Sequence, residues 1–203
     1  MQFDPSTMAG NDLYRTMIQL ITPRPIAWVS TLSNAGVPNL APFSYFNAVG
    51  SNPPTLMFCP ANRPDGGKKD TLANIEQNGE FVVNIVTSDV VDAMNQSSAN
   101  YESDVSEFES CGMTPADSSI VKPPRVAESK AQFECKLHTV LNLGTGPGGS
   151  NLVLGRIVAI HVADEVLDAE GKIQPGLLDT IGRMGGLSYS KTTERFELNR
   201  PSV

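Results

Sequence analysis

Three cations and two glycines run straight into a segment of helical character in Arg63-Pro64-Asp65-Gly66-Gly67-Lys68-Lys69-Asp70-Thr71. Such a run has the parts of an anion seat. Free N–H groups in a first helical turn and the positive end of the helix dipole stabilise a phosphate, lysine adds a mobile charge, and threonine adds a hydroxyl donor. The same residues also make an ordinary helix start beside solvated lysines, and spacing alone favours that plainer reading. A second run, Asn39-Leu40-Ala41-Pro42-Phe43-Ser44-Tyr45-Phe46-Asn47-Ala48, sets Ser44 and Asn47 among apolar and aromatic surface. A flat heterocycle suits such a wall, its hydroxyls or ring edge meeting the short polar side chains. A strand end with core aromatics has the same composition, so the run proves nothing alone.

Other chemistries find less support. Gly144-Thr145-Gly146-Pro147-Gly148-Gly149 satisfies the GxGxxG dinucleotide pattern, but a strand follows it and Pro147 interrupts the would-be phosphate turn. Its glycines therefore read as a β-to-β connection. His138 and His161 each stand without a carboxylate or cysteine at ligand spacing, which points to structural histidines and predicts no metal site. No GxSxG elbow is present. Cys59, Cys111 and Cys135 form no CxxC pair and are odd in number, as expected of reduced thiols in a cytoplasmic protein.

The elements that must position these groups are mostly strands. Ile26 to Leu32 is an apolar, β-branched run, and Asn34-Ala35-Gly36 turns the chain back through Val37 to Phe43. Pro38 and Pro42 cannot donate to a ladder, so the returning strand belongs at an edge or a bulge. Thr55 to Cys59 and Glu80 to Val86 read as further strands. Between them a short helix is predicted, with Asp70 as N-cap, Leu72 and Ile75 on one face, and Asn78-Gly79 as its stop. Ser88 to Ala99 reads as a second helix. Alternation over Ala131 to Leu141 predicts a half-buried strand with Ala131, Phe133, Cys135, Leu137, Thr139 and Leu141 on one face. A long strand follows over Leu152 to Val166, bending at Gly155. Without strand-helix-strand alternation, a mainly β antiparallel barrel with peripheral short helices is favoured over a doubly wound sheet.

Composition narrows the partners. The 203 residues fit one domain, with 40% apolar and 18% charged residues, and a net charge of -7 repels nucleic acid and anionic lipid. A small anion can still be held locally, because a few cations outweigh a screened distant field at contact range. Neither a signal peptide over Met1 to Gly10 nor an apolar stretch of about 20 residues is visible, so no membrane partner is expected.

Taken together, Pro23-Arg24-Pro25-Ile26-Ala27-Trp28-Val29-Ser30-Thr31, the Asn39 to Asn47 run, Lys69-Asp70-Thr71-Leu72-Ala73-Asn74-Ile75 and Arg183-Met184-Gly185-Gly186-Leu187-Ser188-Tyr189 resemble the flavin reductase-like, FMN-binding split-barrel family. The blocks stand in the family's order from Pro23 to about Pro201, in the branch of flavoredoxin and nitrilotriacetate monooxygenase component B. The resemblance implies a six-stranded Greek-key barrel, a homodimer, and FMN held without a covalent link in a groove near the subunit interface. It implies a phosphate clamp at Arg63, Lys69, Asp70 and Thr71, with Asp70 fixing the turn. Ser30, Thr31, Ser44 and Asn47 match polar groove positions, Trp28, Tyr45 and Phe46 bound the groove, and Arg183 and Tyr189 match the C-terminal motif near the cofactor. The implied activity is NAD(P)H-dependent reduction of FMN, with a partner monooxygenase or redox protein as acceptor; a flavoredoxin-like electron carrier is the alternative. One departure favours the alternative. Many family reductases carry a histidine, associated with nicotinamide binding, in the loop that here reads Gly149-Ser150-Asn151, and Asn151 carries neither a titratable proton nor a charge.

Overall fold

The computed structural model describes residues 1–202. Helix α1 (Gly10–Leu20) precedes a run of strands: β1 (Ala27–Leu32), β2 (Pro38–Phe43), β3 (Phe46–Ser51) and β4 (Pro54–Phe58). Next come α2 (Asp70–Asn78), β5 (Glu80–Ile85), α3 (Val91–Gln96), α4 (Glu107–Ser110), and the short strands β6 (Pro115–Ala116) and β7 (Arg125–Val126). The two long strands β8 (Ala131–Asn142) and β9 (Asn151–Val162) follow, and then α5 (Pro175–Leu178), β10 (Ile181–Arg183) and β11 (Tyr189–Lys191).

Seven strands form one antiparallel sheet in the order β2-β1-β5-β8-β9-β4-β3. β2 sits at an edge, where its two prolines need no ladder partner. The opposite edge is β3, yet only Ser44 and Tyr45 separate it from β2 in the chain. Three Cα-to-Cα steps span about 11 Å at most, so the sheet must curl until its edges nearly meet at that corner. The result is a split barrel. Counting β2 and β3 as one bent strand returns the six strands expected of it.

Successive residues of β1 point to opposite sides of the sheet, and each side has its own core. Ala27 and Val29 face the barrel interior with Phe43, Phe58, Phe81, Cys135 and Val153, where the Phe43 and Phe58 ring centroids lie 5.2 Å apart. A Cβ on Gly155 would fall 2.3 Å from Phe81 Cζ, so β9 needs glycine where that ring crosses it. Trp28 and Leu40 face outward into a second cluster with Met94, Phe108, Val126 and Ile181, supplied by α3, α4 and the short hairpins.

The interior cluster also takes Leu72 and Ile75, which dock α2 on the sheet, and Gly79 ends that helix at φ 70°. Three amides fix its position. Asn39 Nδ2 donates to Thr71 Oγ1 at 3.0 Å, Asn74 Nδ2 to Thr31 Oγ1 at 3.0 Å, and Asn78 Nδ2 to the Leu32 carbonyl at 2.7 Å.

Four sequence expectations need correction, the first being the strand over Leu152 to Val166, which ends at Val162 and gives way to a 3-10 turn at Asp164–Val166. Asp70 is the first residue of α2; the N-cap is Lys69, whose extended backbone precedes it, because the Asp70 carboxylate bonds Arg63 and Ser103 instead of the helix N–H groups. The Ser88 to Ala99 segment opens with a 3-10 turn at Ser88–Val90, and its α-helix spans only Val91–Gln96. In β8 a register shift between Leu137 and Thr139 reverses the alternation, so Val140 packs on the core while Leu141 is exposed. On the other side of β8 Lys136 and His138 are exposed as expected, but Gln132 and Glu134 are buried under the segment from Ser119 to Ser129.

Candidate functional site

An open cavity of about 650 Å³ lies outside β2 and at the start of α2. Its floor is Asn39, Ala41 and Pro42, one side is the loop from Ala61 to Asp65 with Lys69 to Thr71, and the other is the segment from Ser97 to Glu102. Of the residues singled out in the sequence, it gathers Arg63, Lys69, Asp70 and Thr71. The volume is within the roughly 300–1,000 Å³ typical of small-molecule sites.

Two of the three cations in this loop are already neutralised. Arg63 Nη2 meets Asp70 Oδ2 at 2.5 Å, and Lys68 Nζ meets Glu76 Oε2 at 2.5 Å. Lys69 has no carboxylate partner among the described residues. Its Nζ stands 5.6 Å from the Phe43 ring centroid, and although its side chain is reached from the cavity, partial burial and the Arg63 charge lower its pKa. An anion beside it would reverse that cost.

Backbone donors converge on the same place. The first bond within the turn is Ala73 N–H to the Lys69 carbonyl at 3.0 Å, which leaves the Asp70 and Thr71 N–H groups without acceptors among the described residues. Thr71 Oγ1 accepts from Asn39, so its own proton remains to be donated.

The glycine-rich connection between β8 and β9 braces this wall. Asn62 Nδ2 donates to the Gly146 carbonyl at 3.0 Å and Asn62 N–H to the Gly149 carbonyl at 2.8 Å. Asn151 is buried behind it, donating to Asn62 Oδ1 at 2.8 Å and to the Pro60 carbonyl at 3.1 Å. The GxGxxG pattern thus serves a strand-to-strand loop, and Asn151 is a tie beneath it.

The remaining sequence candidates lie elsewhere. Trp28 is fully buried and reaches the cavity only through Ser97, to whose Oγ its Nε1 donates at 2.8 Å. Ser30 is buried and donates to the Pro124 carbonyl, while Thr31 is buried and accepts from Asn74. Ser44, Tyr45, Phe46 and Asn47 form the barrel corner, where Ser44 Oγ accepts from Arg24 Nε at 3.3 Å and Asn47 Oδ1 from the Ala48 N–H at 2.9 Å. Arg183 stacks over the Tyr189 ring at 4.4 Å on the β10–β11 hairpin, away from the cavity lining.

Sequence reasoning missed three parts of the lining: Asn62, the Ser97 to Glu102 wall, and Glu107. None carries a local signal, because each is brought in by contacts distant in the chain. Glu107 Oε2, for example, accepts the Leu40 N–H at 2.9 Å across 67 positions.

The chain matches the flavin reductase like domain over residues 19–188. It belongs to that family. This flavin reductase-like chain is similar to nitrilotriacetate monooxygenase component B from Bacillus cereus, with 36% identity and a TM-score of 0.92 over 98% of each chain. It is also similar to the 2-nitrobenzoate 2-nitroreductase of Pseudomonas fluorescens, with 30% identity and a TM-score of 0.90 over 100% of this chain and 97% of that one. It shares its fold with the flavoredoxin of Desulfovibrio vulgaris, at 20% identity and a TM-score of 0.77 over 88% of this chain and 91% of that one.

Proposed function

We propose that this protein binds FMN without a covalent link, its phosphate seated at the start of α2, and works as an NAD(P)H-dependent oxidoreductase. The observation that carries the reading is Lys69: a cavity-lining ammonium with no carboxylate partner among the described residues, beside unused N–H groups of a first helical turn. That donor set fits a phosphate monoester. Bound there, the flavin would accept hydride from nicotinamide and pass reducing equivalents to a partner monooxygenase or redox protein.

The chain's own part is placement. Lys69, the Thr71 hydroxyl and the Asp70 and Thr71 amides neutralise and orient the phosphate, Asn39 fixes the Thr71 rotamer, and the Ser97 to Glu102 wall limits water. No acid or base is needed at a residue of this site. A homodimer in the cytoplasm is the proposed setting. Resemblance to a monooxygenase component and a nitroreductase supports electron delivery as the common task.

A flavoredoxin-like carrier, reduced by a protein donor, is the second reading. Asn151 favours it, since its buried amide is engaged by Pro60 and Asn62 and offers nothing to a nicotinamide.

The test combines spectra with kinetics. Purified protein should bind FMN, and NADH or NADPH should bleach it faster than free flavin under anaerobic conditions. Tight FMN with no acceleration by either donor would leave only the carrier.

A further inference from the structure

Two cations line the cavity, Arg63 and Lys69, against four carboxylates, Asp65, Asp70, Glu102 and Glu107. A phosphate dianion entering such a space meets an unfavourable balance of charge. Asp65 and Glu102 are exposed, so water screens them, and Asp70 is ion-paired with Arg63. Glu107 differs from all three. It is 8% exposed, has no cation within salt-bridge distance among the described residues, and accepts the Leu40 N–H with one oxygen. It also lines the smaller adjoining cavity with Asp70 and Asn74, so it stands beside the turn that would seat the anion.

We propose that Glu107 is the charge-compensating group of this site: entry of a phosphate-bearing ligand is coupled to uptake of one solvent proton by its carboxyl. Geometry supplies the reason. A second negative charge brought into a shared, partly enclosed space destabilises the one already there, and the least hydrated carboxylate yields first. Burial already raises the Glu107 pKa, and the Asp70 charge adds to the rise while the Leu40 and Glu107 N–H groups oppose it. Other groups sharing its two cavities are Glu102, Lys69 and Arg63, and the Cys111 thiol lies on its own segment. Neutral Glu107 keeps its Leu40 contact through the carbonyl oxygen and can turn its O–H toward the ligand.

The inference rests on FMN seating at this cavity and deepens that reading. It also makes Glu107 a determinant of specificity, because a flavin without a phosphate brings no charge and needs no proton.

Calorimetric titration in buffers of different ionisation enthalpy, at several pH values above 7 where the phosphate is already a dianion, counts protons exchanged on binding. FMN should take up close to one proton at a pH where free Glu107 is ionised, with FMN affinity falling up to tenfold per pH unit. Riboflavin should take up none. Glu107→Gln, which keeps the Leu40 acceptor, should bind FMN without that uptake and with a flatter pH profile. FMN binding without uptake in the unaltered protein, or the same uptake in Glu107→Gln, overturns the inference alone. Absence of FMN binding overturns the underlying reading and the inference with it.

Discussion

Two buried carboxylates are treated in opposite ways. Glu134 on β8 is completely buried; it accepts the N–H groups of Ser119, Ile120 and Val121 at 2.6, 2.7 and 3.0 Å, and His161 Nε2 lies 2.6 Å from Oε1. Burial alone would raise its pKa, but these partners outweigh it and the net direction is down. Glu107, nearly as buried, accepts one N–H from a neighbouring strand, and its pKa goes up. The donors aimed at each carboxylate, set against its burial and the charges nearby, decide the sign. A fully engaged carboxylate is part of the framework, whereas an under-engaged one facing a cavity is available to a ligand.

The largest expected effect tests the engaged member. Glu134→Ala leaves three amides and a histidine without their acceptor, and should cost about 3 kcal/mol or more of unfolding free energy in a denaturant titration. The pH dependence follows from the same contacts. A carboxyl whose folded pKa is depressed contributes stability above its unfolded value and loses it as pH falls through the folded pKa. Glu134→Gln should therefore flatten the acid limb of the stability curve, and an unchanged limb would show that the loop amides do not hold the charge.

Next in size is the phosphate seat. Lys69→Ala with Thr71→Ala should weaken FMN by about 10- to 100-fold, equivalent to about 1.4–2.8 kcal/mol, while riboflavin affinity changes much less. Equal losses for both flavins, measured by fluorescence quenching, would refute the seat. His161→Gln should cost about 1 kcal/mol, because Glu134 keeps its three amide donors.

The smallest effect belongs to Glu107. A carboxyl with a raised folded pKa is favoured by folding below its unfolded value, and that advantage fades as pH rises through the folded pKa. Glu107→Gln should then shift stability by less than about 1 kcal/mol near pH 7.5, toward greater stability. A loss of several kcal/mol would make Glu107 a framework residue and erase the contrast with Glu134.

What the sequence reveals follows from how local each determinant is. The β1–β2 hairpin, β5 and α2 are legible because apolar runs, Asn34-Ala35-Gly36 and Gly79 act on their own neighbours. The Arg63 to Thr71 loop is legible for the same reason, although Lys69 rather than Asp70 proves to be the cap. Burial of Glu134 is not legible, since its cover comes from Ser119 to Val121, a segment without periodicity of its own. The bulge past Leu137 defeats a simple count of alternate residues. α1 also escapes notice: Ile18 is its one buried residue, and its C-terminal carbonyls are held by Arg24, whose Nη1 donates to Ile18 and Ile21 at 2.7 and 2.8 Å. The cavity's far wall is set by Trp28 reaching Ser97 across 69 positions, a contact no motif announces.

The three asparagine amides that pin α2 have a dynamic consequence. With Asn39, Asn74 and Asn78 all bonded between helix and barrel, one bank of the cleft is anchored along its whole length. Among the described residues, the facing stretch through Ser103 is moored to α2 by a single hydroxyl, Ser103 Oγ to Asp70 Oδ1 at 2.9 Å. Breathing of the cleft therefore falls on that stretch, and hydrogen exchange should be fast around Ser98 to Ser103 and slow within α2.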